Sequence, residues 1–162
     1  MEIRVRQSGA VMFWNEFREL LLAQNPSELI TVAPQTEEWL DAHGADIVFE
    51  GPQATGGTVY QYSMRQGVEQ DGQGRWFTKY VLGPIFIGET AVADEAEYKA
   101  MKDADRATIM RQQRNEKLKE SDWTQIADST ADKPTWATYR QALRDITAQS
   151  GFPWTVTWPE TP

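Results

Sequence analysis

The sequence predicts an α+β chain, and three observations carry that prediction. Strand-like patterns of period two fall mainly in the first 83 residues, a run from Ala91 to Glu120 holds neither proline nor glycine, and a clean helical periodicity recurs near the end. The expected order is a small N-terminal hairpin/helix domain over 1–83, a connector and long charged helix over 84–120, and a C-terminal helical module over 121–162. That last module ends in an extended aromatic tail.

At the start, Ile3 and Val5 alternate with charged residues, and Ser8-Gly9 turns the chain toward Ala10 to Phe13, which predicts a short β-hairpin. Asn15 is the expected cap of a helix that carries Phe17, Leu20 and Leu21 inward and stops before Pro26. A second short helix is expected from Thr36 to His43, closed by Gly44, and Asp46 to Phe49 reads as a strand. Gly51 to Gly57 is turn-forming, after which Thr58 to Val68 alternates so that Tyr60, Tyr62 and Met64 share a face. Gln70-Asp71-Gly72 reverses the chain, and Arg75 to Leu82 returns with Trp76, Thr78, Tyr80 and Leu82 on one face. Gly83-Pro84 marks the edge of this domain, and Ile85 to Gly88 reads as a connector.

Ala91 to Glu120 is dominated by strong helix formers, so propensity predicts one long helix. Its apolar stripe is thin, chiefly Val92, Tyr98, Met101, Ala104, Thr108 and Leu118. Ser121-Asp122 stops it, with Trp123 anchoring the turn. In the next helix Trp136, Tyr139, Leu143 and Ile146 recur at helical spacing on one face, leaving Arg140, Arg144 and Asp145 largely on the other. Asp132 and Pro134 supply start signals, and Gly151 with Pro153 ends the segment. Phe152, Trp154, Val156 and Trp158 then alternate at period two, which predicts an extended ribbon with one aromatic edge.

Composition narrows the function classes. The 162 residues are 40% hydrophobic and 25% charged, which is globular, and no apolar run is long enough to span a bilayer. The absence of cysteine removes disulfides, thiolate catalysis and cysteine-based zinc sites together. A formal charge of −8 argues against nucleic-acid partners, since such proteins concentrate Lys and Arg against the phosphates. The first 88 residues carry 11 acidic and 6 basic side chains and the remainder 13 and 10, so neither half hides a basic module. The chain reads as soluble and without an export signal.

No residue set stands out as catalytic. His43 beside Gly44 suits a helix end, where the dipole favours a cation, more than a ligand or base. Gly56-Gly57-Thr58 lacks the lysine and following helix of a phosphate loop. Asp103 and Asp105, or Asp122, Asp128 and Asp132, lie on a polar helix and loop, where solvated charge is the simpler reading than a glycosidase pair. Trp14, Trp39 and Trp76 fall in patterns that assign them to a core. The expectation is therefore a non-enzymatic chain without cofactor or metal, whose notable feature is a last third holding four of its seven tryptophans.

That last third carries Arg114-Asn115, the Ser121 to Gln125 turn, the Trp136 to Asp145 helix, Gly151 to Pro153 and Trp158-Pro159. In order and spacing these resemble the phage tail assembly chaperones, also described as tail fibre assembly proteins, over roughly the last 50 residues. Two departures stand out: the loop Ile126 to Pro134 lacks an early proline, and Trp154 stands where a small or polar residue is common. The resemblance implies a chaperone that binds a trimeric fibre polypeptide in the host bacterial cytoplasm and assists its folding, trimerisation or attachment, retained in the virion or released. Trp154, Val156 and Trp158 are then the expected partner anchors, supported by Trp123, Trp136 and Tyr139, with self-association as a further option. The alternative is a permanent structural component of the tail or fibre, contacting the host through Tyr60 and Tyr62.

Overall fold

In the computed structural model, which describes residues 1–162, the alternating segment Glu2–Val5 is a strand, β1, paired antiparallel with Val11–Phe13, β2. Ala45–Phe49 forms β3 on the other side of β1, Tyr62–Gln70 forms β4 and Trp76–Gly83 forms β5. The sheet order is β2-β1-β3-β5-β4, antiparallel throughout except for the parallel β3–β5 pair. Helices Trp14–Gln24, α1, and Glu37–Ala42, α2, cover one face of it.

Register explains the core. Ile3 lies opposite both Met12 and Ile47, and Val5 opposite Ala45, so these side chains point to the same face. There they meet Trp14, Phe17, Ile30 and Leu40, and Leu21, Leu22 and Trp39 pack against the cluster. The opposite face carries charge over aromatics: Arg4 lies 4.0 Å from the Trp76 ring centroid, Arg65 forks onto Glu2, and the Tyr80 hydroxyl donates to Glu50. Trp76 therefore packs under Arg4 on this face, outside the helix-covered core, while Trp14 and Trp39 meet edge-to-face inside it.

Local capping departs from the expected residues. Helix α1 begins directly from β2, and the Glu16 carboxylate reaches back to accept the Phe13 N–H at 2.8 Å, so Asn15 lies inside the helix and caps nothing. Leu20 is exposed, because the core-facing stripe runs through Phe17, Leu21 and Leu22. Helix α2 follows its expectation: Thr36 accepts the Trp39 N–H, His43 closes the helix, and Gly44 takes φ 68°, a conformation that favours glycine. His43 stacks on Trp39 at 3.6 Å between centroids, with its ring nitrogens facing the Trp39 carbonyl and the Glu28 carboxylate.

Strand β4 starts later than its alternation suggests. Thr58 and Tyr60 belong to a turn, held where the Gln61 side chain accepts the Thr58 N–H, and pairing begins at Tyr62. The ladder is interrupted between Arg65 and Val68 by an irregularity that takes Gly67 to φ 78°.

The chain divides into two compact units, Met1–Ile85 and Phe86–Pro162. In the second, Ala91–Glu120 forms the expected long helix, α3, about 45 Å from end to end at 1.5 Å per residue. A 3-10 turn, Asp122–Gln125, leads to helix Lys133–Asp145, α4, and a second 3-10 turn, Ile146–Ala148. The buried face of α3 is not the predicted stripe. Val92 and Met101 are exposed, whereas Ala107 and Met110 are buried, because the side chains that α4 and the tail cover lie on another arc of the helix. Asp132 precedes α4 as expected, but its carboxylate accepts from the Thr135 hydroxyl and not from a helix amide.

Two outcomes test the first unit. Phe17→Ala should cost about 3–5 kcal/mol in urea unfolding, the usual range for emptying a fully buried phenylalanine site. The Arg65 fork holds the Glu2 carboxyl below its ordinary value, hydrogen bonding outweighing partial desolvation. A carboxyl depressed in the folded state stabilises above its unfolded pKa, and that contribution is lost as pH falls through the folded one. Glu2→Gln should thus be less stable than the parent near neutral pH, by a modest amount because Arg65 is partly exposed, and the gap should close in strongly acidic buffer.

Candidate protein-interaction surface

The second unit is organised where α3 ends. Its last carbonyls have no helical partners, and a cation there is favoured by the dipole. Arg140 of α4 supplies both a charge and donors: Nη1 donates to the Leu118 carbonyl and the Ser121 hydroxyl oxygen, and Nη2 to Asp122, each at 2.7 Å. Ser121 in turn donates from its hydroxyl back into the helix, toward the Lys117 and Leu118 carbonyls, and Thr124 donates to the Ser121 carbonyl at 2.7 Å. Ser121, Thr124 and Arg140 are all buried, and the network joins α3, the 3-10 turn and α4.

Arg140 was expected on the solvent side of α4. Its spacing, four residues after Trp136 and three before Leu143, places it on the buried face, and only its charge pointed outward. A buried guanidinium is tolerated here because carbonyls, a hydroxyl and a carboxylate meet its donors. Tyr139, Leu143 and Ile146 are buried beside it as their periodicity predicts.

The tail is not an extended ribbon. Gly151 to Trp154 form successive turns, with the Thr155 N–H donating to the Gly151 carbonyl at 2.7 Å. A Cβ at position 151 would collide with the Thr155 carbonyl, so the turn requires glycine. Beyond it the Gln149 side chain acts as a strand neighbour would, donating to the Thr157 carbonyl and accepting the Thr157 N–H, both at 2.8 Å. Period two therefore reports alternate contacts without a β-ladder.

Those contacts run along α3. The Trp154 indole donates to Asp103 at 2.5 Å, the Arg111 guanidinium lies 5.5 Å from the Phe152 ring centroid, and the Lys117 ammonium lies 5.7 Å from that of Trp158. Trp154, Val156 and Trp158 are all half-buried, and Trp154 and Trp158 meet α3 through these contacts. Asp103, read as solvated charge, is the acceptor that fixes one end of the tail.

The aromatic surface that stays open lies around the 3-10 turn. Trp123 is 53% exposed and Ile126 54% exposed. Trp123 meets the half-buried Trp136 edge-to-face at 5.8 Å, and Trp136 meets buried Tyr139 at 5.6 Å and 90°. The three rings form a ladder from the core to solvent, rigid at its base. Of the six expected anchors, Trp123, Trp136 and Tyr139 thus share one ladder, while Trp154, Val156 and Trp158 sit along the tail. Ile126 stands alone in a polar loop and so carries no periodic signal in the sequence. No helix of the chain is long and apolar enough to cross a membrane.

The Arg140 network makes two substitutions distinguishable. Arg140→Lys keeps the charge but loses the fork, removing the shielded guanidinium bonds to the Leu118 carbonyl and Ser121 hydroxyl, and should cost about 2–3 kcal/mol in chemical denaturation. Asp122→Asn should cost less than about 1 kcal/mol, since the Asp122 side chain is 64% exposed and solvent screens the pair. Equal losses would place the weight on the ion pair and not on the carbonyl cap.

No curated protein and no solved structure matches the chain. A family model does match, over residues 95–162, and it describes the phage tail assembly chaperone protein. The matched residues hold the α3 face, the Arg140 network, the aromatic ladder and the tail, and in this segment the chain is similar to phage tail assembly chaperones.

Proposed function

We propose that the chain is a non-enzymatic phage tail assembly chaperone that binds a tail fibre polypeptide in the host cytoplasm and shields its apolar surface until folding, trimerisation or attachment is complete. The family match over residues 95–162 carries this reading, and it supports the broader role in tail assembly directly. The contact we assign first is the open end of the ladder, Trp123 with Ile126 and Trp136. An exposed indole backed by the half-buried Trp136 and the buried Tyr139 is already held in one orientation, so docking it costs little side-chain entropy. Tyr139 supports the ladder from within. Trp154, Val156 and Trp158 add their exposed edges while holding the tail to α3.

The carboxylates offer little for catalysis. Asp103 is engaged by Trp154, Asp122 by Arg140 and Asp132 by Thr135, so each has a structural role that sets the loops. A permanent place in the virion is the second reading, supported by the exposed Tyr62 on the edge strand β4, and stoichiometric protein in washed particles would favour it.

Co-expression of the chain with the fibre polypeptide, followed by size exclusion with light scattering, tests the proposal. The parent should give soluble trimeric fibre, with the chaperone bound or released. A folded Trp123→Ala/Ile126→Ser double variant should weaken capture at least tenfold, equivalent to about 1.4 kcal/mol. Fibre yield and elution that are the same with and without the chain would exclude the fibre as its client.

A further inference from the structure

We infer that the first unit carries a binding groove for an extended basic segment of a protein partner, one that alternates Lys or Arg with apolar residues. The groove has a volume of about 710 Å³ and lies between α2, the edge of β3 and the β4–β5 turn. Its origin is a short ladder. β5 pairs with β3 only at Val48 and Phe49, so Ala45–Ile47 have no strand partner on that side. Neighbouring strand residues point to opposite faces, yet Asp46 and Ile47 both line the groove, which therefore runs along the strand's edge. An extended segment laid there can meet the β3 backbone and set alternate side chains to each face, as in strand addition to a sheet.

Charge selects the occupant. The unit carries 11 acidic and 6 basic side chains, and each of the six cations is already matched within it. Arg4 and Arg6 meet Asp46, Arg6 also meets Asp41, Arg18 meets Glu19, Arg65 meets Glu2, Arg75 meets Asp71 and Lys79 meets Glu69. The two arginines in the groove wall, Arg6 and Arg75, thus have little charge left for an anion. Glu37 and Glu38 at the rim have no basic side chain paired with them. Phe49, 39% exposed on the floor, supplies an apolar contact between the acidic positions. An incoming cation meets uncompensated carboxylate and an incoming apolar side chain meets Phe49 and Ile47, whereas an acidic segment would face Glu37 and Glu38. The inference rests on the first unit alone and is independent of the role assigned to the C-terminal segment.

The test uses the full chain, isotopically labelled, titrated with the acetylated and amidated peptide Lys-Val-Lys-Phe-Lys-Val and with Glu-Val-Glu-Phe-Glu-Val. The basic peptide should shift amide resonances of Glu37, Glu38, Ala45–Ile47 and Gln73–Arg75, and the acidic peptide should leave them in place. Glu37→Gln/Glu38→Gln should weaken basic-peptide binding about tenfold, and Phe49→Ser should weaken it without changing its dependence on salt. Surface variants at rim positions leave the core intact, and unchanged resonances of Ile3 and Leu40 verify this. Shifts spread along the α3 helix, equal binding of both peptides, or no effect of the Glu37/Glu38 change would each overturn the inference.

Discussion

The Arg140 guanidinium at the end of α3 is the constraint on which the second unit depends. A 30-residue helix of mostly polar surface has little reason to stop or to hold a neighbour in a fixed orientation. One side chain from α4 answers both needs, because it adds a charged donor to the Leu118 carbonyl, which within the helix end accepts from Ser121, and to the Ser121 hydroxyl itself. The directional part of the interaction matters more than its charge. Its carboxylate partner is mostly in water, while the carbonyl and hydroxyl bonds are shielded. With α4 fixed at that point, Leu143 and Ile146 have a defined place to bury, and Trp136 and Tyr139 stand in the orientation that supports Trp123.

Much of the fold was legible because its elements obey simple periods. The opening hairpin, the helix closed by His43 and Gly44, the aromatic hairpin and the span of α3 all follow from alternation, propensity and turn residues. What escaped was decided by tertiary partners. Asn15 looks like a cap in isolation, but the chain enters α1 straight from β2, where Glu16 is better placed to reach back. The thin stripe on α3 follows hydropathy alone, and the face in use includes Asp103, Arg111 and Lys117, polar residues recruited by aromatic partners 41 to 51 residues further along the chain. The tail shows the same effect. Its alternation is real, yet the Gln149 amide supplies the pairing a second strand would otherwise give.

The two units treat polar side chains differently. In the first, ion pairs tie the sheet together on the face opposite the helices, Arg4 to Asp46 between the adjacent β1 and β3 and Arg65 to Glu2 from β4 to β1, and the excess is negative. In the second, Arg111 and Lys117 lie over tail rings as Arg4 lies over Trp76 in the first, and Arg140 in addition donates to a helix-end carbonyl. Each unit is thus held by polar contacts of its own.

The matched segment begins at residue 95, inside α3, but the unit to which it belongs begins at Phe86. Phe86 packs on Tyr98 at 5.6 Å between ring centroids, across the first turns of the helix, and the Thr90 hydroxyl donates to Asp94 at 2.8 Å. A transplant cut at the similarity boundary would discard both and leave a raw helix start. The transferable piece is therefore longer than the recognisable one: a chimaera that moves this C-terminal unit onto another chain must carry the nine residues ahead of the match.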